Sequence, residues 1–495
     1  MPFRLSCVNL DTWLATCLTN VRAPGDNSAA RPDGLPPLFE VHTPRDLRTM
    51  FTLTLYQVMA NDAIKECNAD NIFALTYCCQ RNKFLAQYPQ IFKPFFHYLD
   101  TVPPPRFKNI NDWHQMELAV TAFDGIMAVV SATPLGLSTD CCFMQTFTCS
   151  WPGIWRWMRC LHSLVTSALK GNHGTRSTSV ASMTTASLIT ILRIISQFFL
   201  WPSTPACKAM EPTPGLFLLL ADIWIRLTEN ARDDEDVAHL CALGLKTILE
   251  LIVLDATRMK LLVDVLHGDI GKIASLLLKN VHATRKEWIS PFAQVVFAIK
   301  VITPLIPSLD HALLSQNAMV DISLAITHFS STASFQSPGY ELCLVSYLEF
   351  FNLASTTTDG FTWITQAVRS GLIHSIVRSA QCSSGRFDDL SIKALTKVQT
   401  YLVYRSVLRA VARALQDPDI FLLESHMYLD RKISKYWAYF KFFVKNRLEV
   451  KAAFDEAGKY TQTCFAPEVC NQQKSLPFDI LIDSVVQQCG EWGWL

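Results

Sequence analysis

The sequence predicts an all-α protein, an elongated α-solenoid of armadillo- or HEAT-like stacked helices. Three observations carry that expectation. Apolar residues recur at helical spacing along most of the chain, strand-like alternation is rare, and a unit of 45 residues occurs twice.

Residues 5–21 fit one short helix. Residues 22–45 then hold Pro24, Gly25, Pro32, Gly34, Pro36, Pro37 and Pro44, which read as a linker. The body, 46–458, carries apolar stripes of period near 3.6 in 48–66, 112–131, 154–169, 184–200, 214–228, 286–306, 311–328, 340–354, 361–381, 389–415 and 431–456. One of the clearest runs through Val237, Leu240, Cys241, Gly244, Ile248, Leu251 and Ile252, leaving Lys246 and Glu250 off the stripe. Asp233 to Asp236 stand at its start, where a helix N-terminus favours negative charge, so these acids read as a solvated helix start. Prolines and glycines separate the stripes at Pro103–Pro105, Pro134 with Gly136, Pro202 with Pro205, Pro212 with Pro214, and Pro304 with Pro307. The Ser/Thr-rich stretch Gly171 to Thr185 reads as a loop.

The repeated unit covers 237–281 and 338–382. Each copy is a long helix, a shorter one ending near Leu266 or Arg369, a turn at His267–Asp269 or Ser370–Gly371, and a further helix from Ile270 or Leu372. Its length falls within the roughly 40–47 residues of armadillo and HEAT units. One such group cannot bury its apolar face alone, so neighbours must stack.

Half of the 495 residues are hydrophobic and mean hydropathy is +0.19. No stretch supplies the roughly 18 uncharged apolar residues of a membrane span: Arg193 and Gln197 interrupt 188–201, and Lys300 and Pro304 interrupt 292–305. The apolar content therefore belongs in a core. Net charge is +1, so no global field attracts nucleic acid or anionic lipid. Sixteen cysteines lie scattered, many inside apolar runs, and no N-glycosylation sequon occurs, which points to the cytoplasm or nucleus. Phosphate-cradling glycine loops, a nucleophile elbow and zinc-protease or deaminase motifs are missing, and the expectation is that the protein is not an enzyme. The pairs Cys78–Cys79 and Cys141–Cys142 point about 100° apart on a helix and read as packing residues, not ligands. His162 and His374 stand singly in helical stripes and read as structural or surface residues.

Arg431 to Lys451 interleaves Arg431, Lys432, Lys435, Lys441, Lys445, Arg447 and Lys451 with six aromatics. Basic residues among aromatics can follow a nucleic-acid backbone and stack bases. They can equally lie on a membrane surface. Against both stands the stripe Ile433, Trp437, Phe440, Val444 and Leu448, which needs a core. Nucleic acid is accordingly the disfavoured partner and protein the expected one.

The last residues, 459–495, change character. Cys464 and Cys470 are followed by Cys489, with Trp492 where a C-x-x-C partner belongs. This segment, after a long helical body and a lysine- and aromatic-rich helix, resembles the MYND-type zinc-finger proteins of mushroom-type fungi. Cys464 and Cys470 match the opening cysteine pair of that finger and Cys489 the next cysteine, and the pattern stops there. The resemblance implies a truncated or degenerate finger, zinc at Cys464, Cys470 and Cys489 with an incomplete ligand set, and a role in gripping partner motifs. No other cofactor is expected. The combined expectation is a non-enzymatic helical scaffold for protein–protein interaction. The alternatives are a zinc-binding adaptor and a nucleic-acid-binding helical repeat protein.

Overall fold

The computed structural model describes residues 56–462, apart from 66–68, 82–87, 106–109, 133–141, 171–177, 201–203, 231–233, 256, 285–288, 333–337, 357–359 and 381–386. Among the described residues every regular element is a helix. The chain divides in sequence between Leu309 and Asp310 into two compact units.

The first unit contains α1 (56–65), α2 (Ala69–Arg81), α3 (Pro89–Thr101), α4 (Ile110–Ala132), α5 (Cys142–Lys170), α6 (Thr178–Phe199), α7 (Pro205–Met210), α8 (Leu216–Asn230), α9 (Glu235–Leu254), α10 (Thr257–Val265), α11 (Ile270–Thr284) and α12 (Ile289–Ile302). A 3-10 turn, Thr303–Leu305, follows where Pro304 and Pro307 stop the helix. The packing forms two rows. One runs α2, α4, α6, α9, α12 and the other α3, α5, α8, α11, each helix touching the next in its row. Rungs α3–α4, α5–α6, α8–α9 and α11–α12 tie the rows together.

Local chemistry sets the helix ends. Asp234 caps α9, its Oδ1 accepting from the backbone N–H groups of Asp236 (3.1 Å) and Val237 (3.3 Å), so Asp234 to Asp236 form a helix start, while Asp233 lies outside the described residues. Asp255 caps α10 through Thr257 N–H at 3.0 Å, and Asp269 caps α11 through Lys272 N–H at 2.8 Å. Pro205 occupies the first turn of α7, where its missing N–H costs nothing. The Ser/Thr-rich stretch departs from expectation: α6 begins at Thr178, so 178–185 is helix. After Gly174 no glycine or proline remains to break it, and the weak propensity of Ser and Thr yields to the apolar run that follows. Breaker logic also passes over Pro94 in α3 and Pro152 in α5, both inside helices.

The second unit contains α13 (Leu309–Ser315, from Asp310), α14 (Ala318–Thr332), α15 (Pro338–Ala354), α16 (Gly360–Arg369), α17 (Leu372–Ser379), α18 (Asp388–Thr400), α19 (Arg405–Leu415), α20 (Pro418–Glu424) and α21 (Lys432–Gln462). Here the packing period is three. α14 touches α17 and α17 touches α20; α15 touches α18 and α18 touches α21; α16 touches α19. The stripe expected as one helix over 311–328 is two, because Asn317 turns left-handed at φ 63°. The stripe 389–415 is likewise split by the turn 401–404.

Candidate interaction surface

The basic aromatic segment becomes α21, and its apolar stripe is the part that binds it to the fold. Ile433, Trp437, Phe440 and Val444 are buried, Phe440 completely, while Leu448 is half-buried. The helix packs on α18 and α19. Trp437 donates its indole N–H to Glu424 Oε1 at 2.8 Å, and Lys441 Nζ reaches Glu424 Oε2 at 2.6 Å, which joins α21 to the end of α20. The N-terminus of α21 is anchored by Arg431. Its guanidinium pairs with the buried Asp388 and donates to the Ala380 carbonyl at 2.9 Å. Asp388 also accepts from the Ile433 N–H at 3.4 Å. A buried charge pair with its remaining sites hydrogen-bonded meets the condition under which such a pair persists.

Most cations of α21 face carboxylates. Lys432 lies 3.7 Å from Asp389 and Lys445 3.9 Å from Glu449, and Lys451 pairs with Asp455, which Arg405 also reaches at 3.2 Å. Trp437 and Phe440, the rings that would stack bases, are in the core.

The surface nearby is rich in exposed apolar groups. Phe421 is 79% and Leu429 84% exposed, with Leu422 and Tyr428 between them also open to solvent. Ser434 holds the turn that carries Tyr428 and Leu429, donating to the Tyr428 carbonyl at 2.6 Å. All four stand within nine residues of one another, and exposed apolar groups mark interaction sites where they form a patch. This feature is not legible in the sequence, because Ile420, Phe421 and Leu422 are consecutive apolar residues and nothing in their type marks that only Ile420 is buried.

No family model, curated protein or solved structure matches this chain.

Cys464, Cys470 and Cys489 lie outside the described residues, as does Cys141. Cys78 and Cys79 are buried, and burial with the neighbouring Cys78 pushes the Cys79 thiol up to about 12. Burial likewise lifts Cys241 to about 12, so these thiols stay protonated and pack as small apolar groups. Cys142 differs, being exposed at the start of α5. His162 is tied across the fold: its Nε2 lies 2.7 Å from Asp222 Oδ2, which also accepts from Arg226 at 2.5 Å. Near Cys79 a pocket of about 230 Å³ is lined by Gln80, Asp124, Met127, Ser131 and Arg193. Burial raises the Asp124 carboxyl, against the Thr190 hydroxyl 3.2 Å away and Arg193, while the thiol beside it is held protonated. An activated nucleophile would need the opposite shift.

Spacing along the chain did not bring His374 together with Asp417 and Asp419, whose ligand atoms lie within 4.8 Å of one another. Asp417 Oδ1 is already engaged as the cap of α20, accepting from the Asp419 N–H at 3.0 Å. None of the described helices is long and apolar enough to cross a membrane.

Proposed function

We propose that this chain is a non-enzymatic helical scaffold for protein–protein contact, each unit a stack of armadillo- or HEAT-like helix groups, working in the cytoplasm or nucleus. The row packing supports the stacked reading: α8–α11 and α9–α12 in the first unit, and α14–α17–α20 with α15–α18–α21 in the second, repeat one helix group upon the next. The observation that carries the function is the exposed group Phe421, Leu422, Tyr428 and Leu429 on α20 and the turn after it. Large apolar side chains that no described element covers gain most by meeting another protein's apolar surface.

The test uses the full chain and the double variant Phe421→Asp/Leu429→Asp, each as bait in crosslinking capture. Both positions are exposed, so the variant keeps its circular-dichroism spectrum and Tm. The proposal expects a protein crosslinked to Lys432 or Lys441 in the wild type and lost about tenfold or more from the variant, a change worth about 1.4 kcal/mol. Identical crosslinked proteins and yields from the two baits would contradict it.

A further inference from the structure

The outer flank of α21 is a second apolar surface, separate from the residues that carry the functional proposal. Tyr439, Phe442, Val450 and Phe454 are exposed, and Phe443 is half-buried with the Arg447 guanidinium 5.1 Å from its ring centre. At about 100° per residue these five side chains span about 120° of the helix, beside the buried stripe and not within it. The cations inside that arc are Lys432, which lies 3.7 Å from Asp389, and Lys435; Arg447 lies about 20° beyond one edge, and the arc contains no acid. Glu449 lies outside it, facing Lys445 at 3.9 Å.

We propose that the chain's own segment 476–489 occupies this flank. Three observations lead there. The segment carries Phe478, Leu481, Ile482, Val485 and Cys489 at spacing i, i+3, i+4, i+7 and i+11, the same spacing that sets Tyr439, Phe442, Phe443, Asn446 and Val450 along the flank. Its charge is of the opposite sign: Glu468, Asp479, Asp483 and Glu491 stand against Lys474 alone in 463–495. It is also within reach. The described part of α21 reaches Gln462, and the residues between it and Phe478 span up to about 50 Å when extended, against about 35 Å back along the helix to Tyr439. Tethering over that distance supplies an effective concentration on the order of millimolar, enough for a modest contact to stay closed. The flank would then serve as a seat for the chain itself, leaving Phe421 and Leu429 to other proteins.

Hydrogen exchange on the full chain, read by mass spectrometry, tests this with the variant Phe442→Asp/Val450→Asp. Amides in 476–489 should exchange about tenfold or more slowly than free peptide in the wild type. They should return to the free rate in the variant, while α15 and α18 keep their protection. Reversing the segment's charge, Asp479→Lys/Asp483→Lys, should weaken protection in the same place. Free-peptide exchange in the wild type, or protection unchanged by the flank variant, would overturn the proposal. Protection abolished by a chelator would assign the ordering to metal at the cysteines instead. Protection that disappears on dilution would assign it to a second copy of the chain. Either result would also overturn the proposal, and neither bears on Phe421 and Leu429.

Discussion

Gly371 and Gly268 hold equivalent left-handed turns, at φ 106° and 76°, yet their surroundings differ. A Cβ at position 371 would collide with Thr327 Oγ1, whereas position 268 has nothing within 4 Å. Gly268→Ala should therefore cost about 1–2 kcal/mol from backbone strain alone. Gly371→Ala should exceed it by about 1–3 kcal/mol, because α14 must also give way; urea denaturation measures both. Asp388→Asn should cost about 3–5 kcal/mol by leaving Arg431 buried without its charge partner. Asp389→Asn, removing an exposed pair with Lys432, should change stability by less than about 0.5 kcal/mol. Two carboxyls should show opposite pH behaviour. Burial raises Asp124, so any stability it contributes is complete below the ordinary value of 3.8 and lost as pH rises through the folded value. Burial also pushes Asp222 up, but hydrogen bonds from His162 and Arg226 outweigh it and hold the carboxyl low. Its contribution is present above 3.8 and lost as pH falls through the folded value. Asp124→Asn should thus raise the urea midpoint near neutrality and not in acid, and Asp222→Asn should lower it near neutrality and lose that effect in acid. Little of this was legible in the sequence, because partners such as Asp388 and Arg431, or His162 and Asp222, are far apart in the chain and meet only through packing.

At the scale of elements, α5 holds the end of α3. Arg156 donates to the Asp100 carbonyl at 2.8 Å and Trp157 to the Val102 carbonyl at 3.0 Å, satisfying groups that the helix end leaves without intrahelical partners. Gly153 makes the approach possible, since a Cβ there would sit 2.6 Å from Asp100 Cα. Backbone cannot rotate aside as a side chain can, so Gly153→Ala should push α3 and α5 apart. Its Tm should fall clearly further than that of Gly271→Ala, whose Cβ meets only an Asp269 oxygen at 3.4 Å. Helix identity was legible where one apolar stripe met a glycine stop, as between α10 and α11 at Gly268 and between α16 and α17 at Gly371. It was less legible where another residue does the work of glycine. Asn317, at φ 63°, turns the chain between α13 and α14 as Gly268 and Gly371 turn theirs, so the stripe 311–328 shows no glycine or proline where the helix breaks. Asparagine adopts this conformation at small cost because its short polar side chain can bond locally. The inner stripe of α21 was legible from spacing alone. Its exposed flank was not, because lysines interleave with the aromatics and an apolar residue carries no mark of which side it faces.

For the whole molecule, the high apolar content is accounted for by helix-to-helix packing within each unit, from Phe147 and Phe198, whose ring centres lie 3.9 Å apart, to Ile433 and Phe440 on the final helix. Stacks of this kind derive their stability from contacts between neighbours in a row. The all-helical class was therefore readable from period alone. The change from two rows in the first unit to a period of three in the second was not, because row partners are set by which stripes face each other. In the second unit α21 turns one face inward onto α18 and α19, and adjacent positions on that helix test this most directly. Phe440 is fully buried and Tyr439 is 50% exposed. Full chains carrying Phe440→Asp or Tyr439→Asp should be compared by urea denaturation. Phe440→Asp should cost at least about 3–5 kcal/mol, through lost burial and an unpaired charge in the core. Tyr439→Asp should cost less than about 1 kcal/mol. Equal losses from the two, or a larger loss from Tyr439→Asp, would contradict the packing and the scaffold built on it.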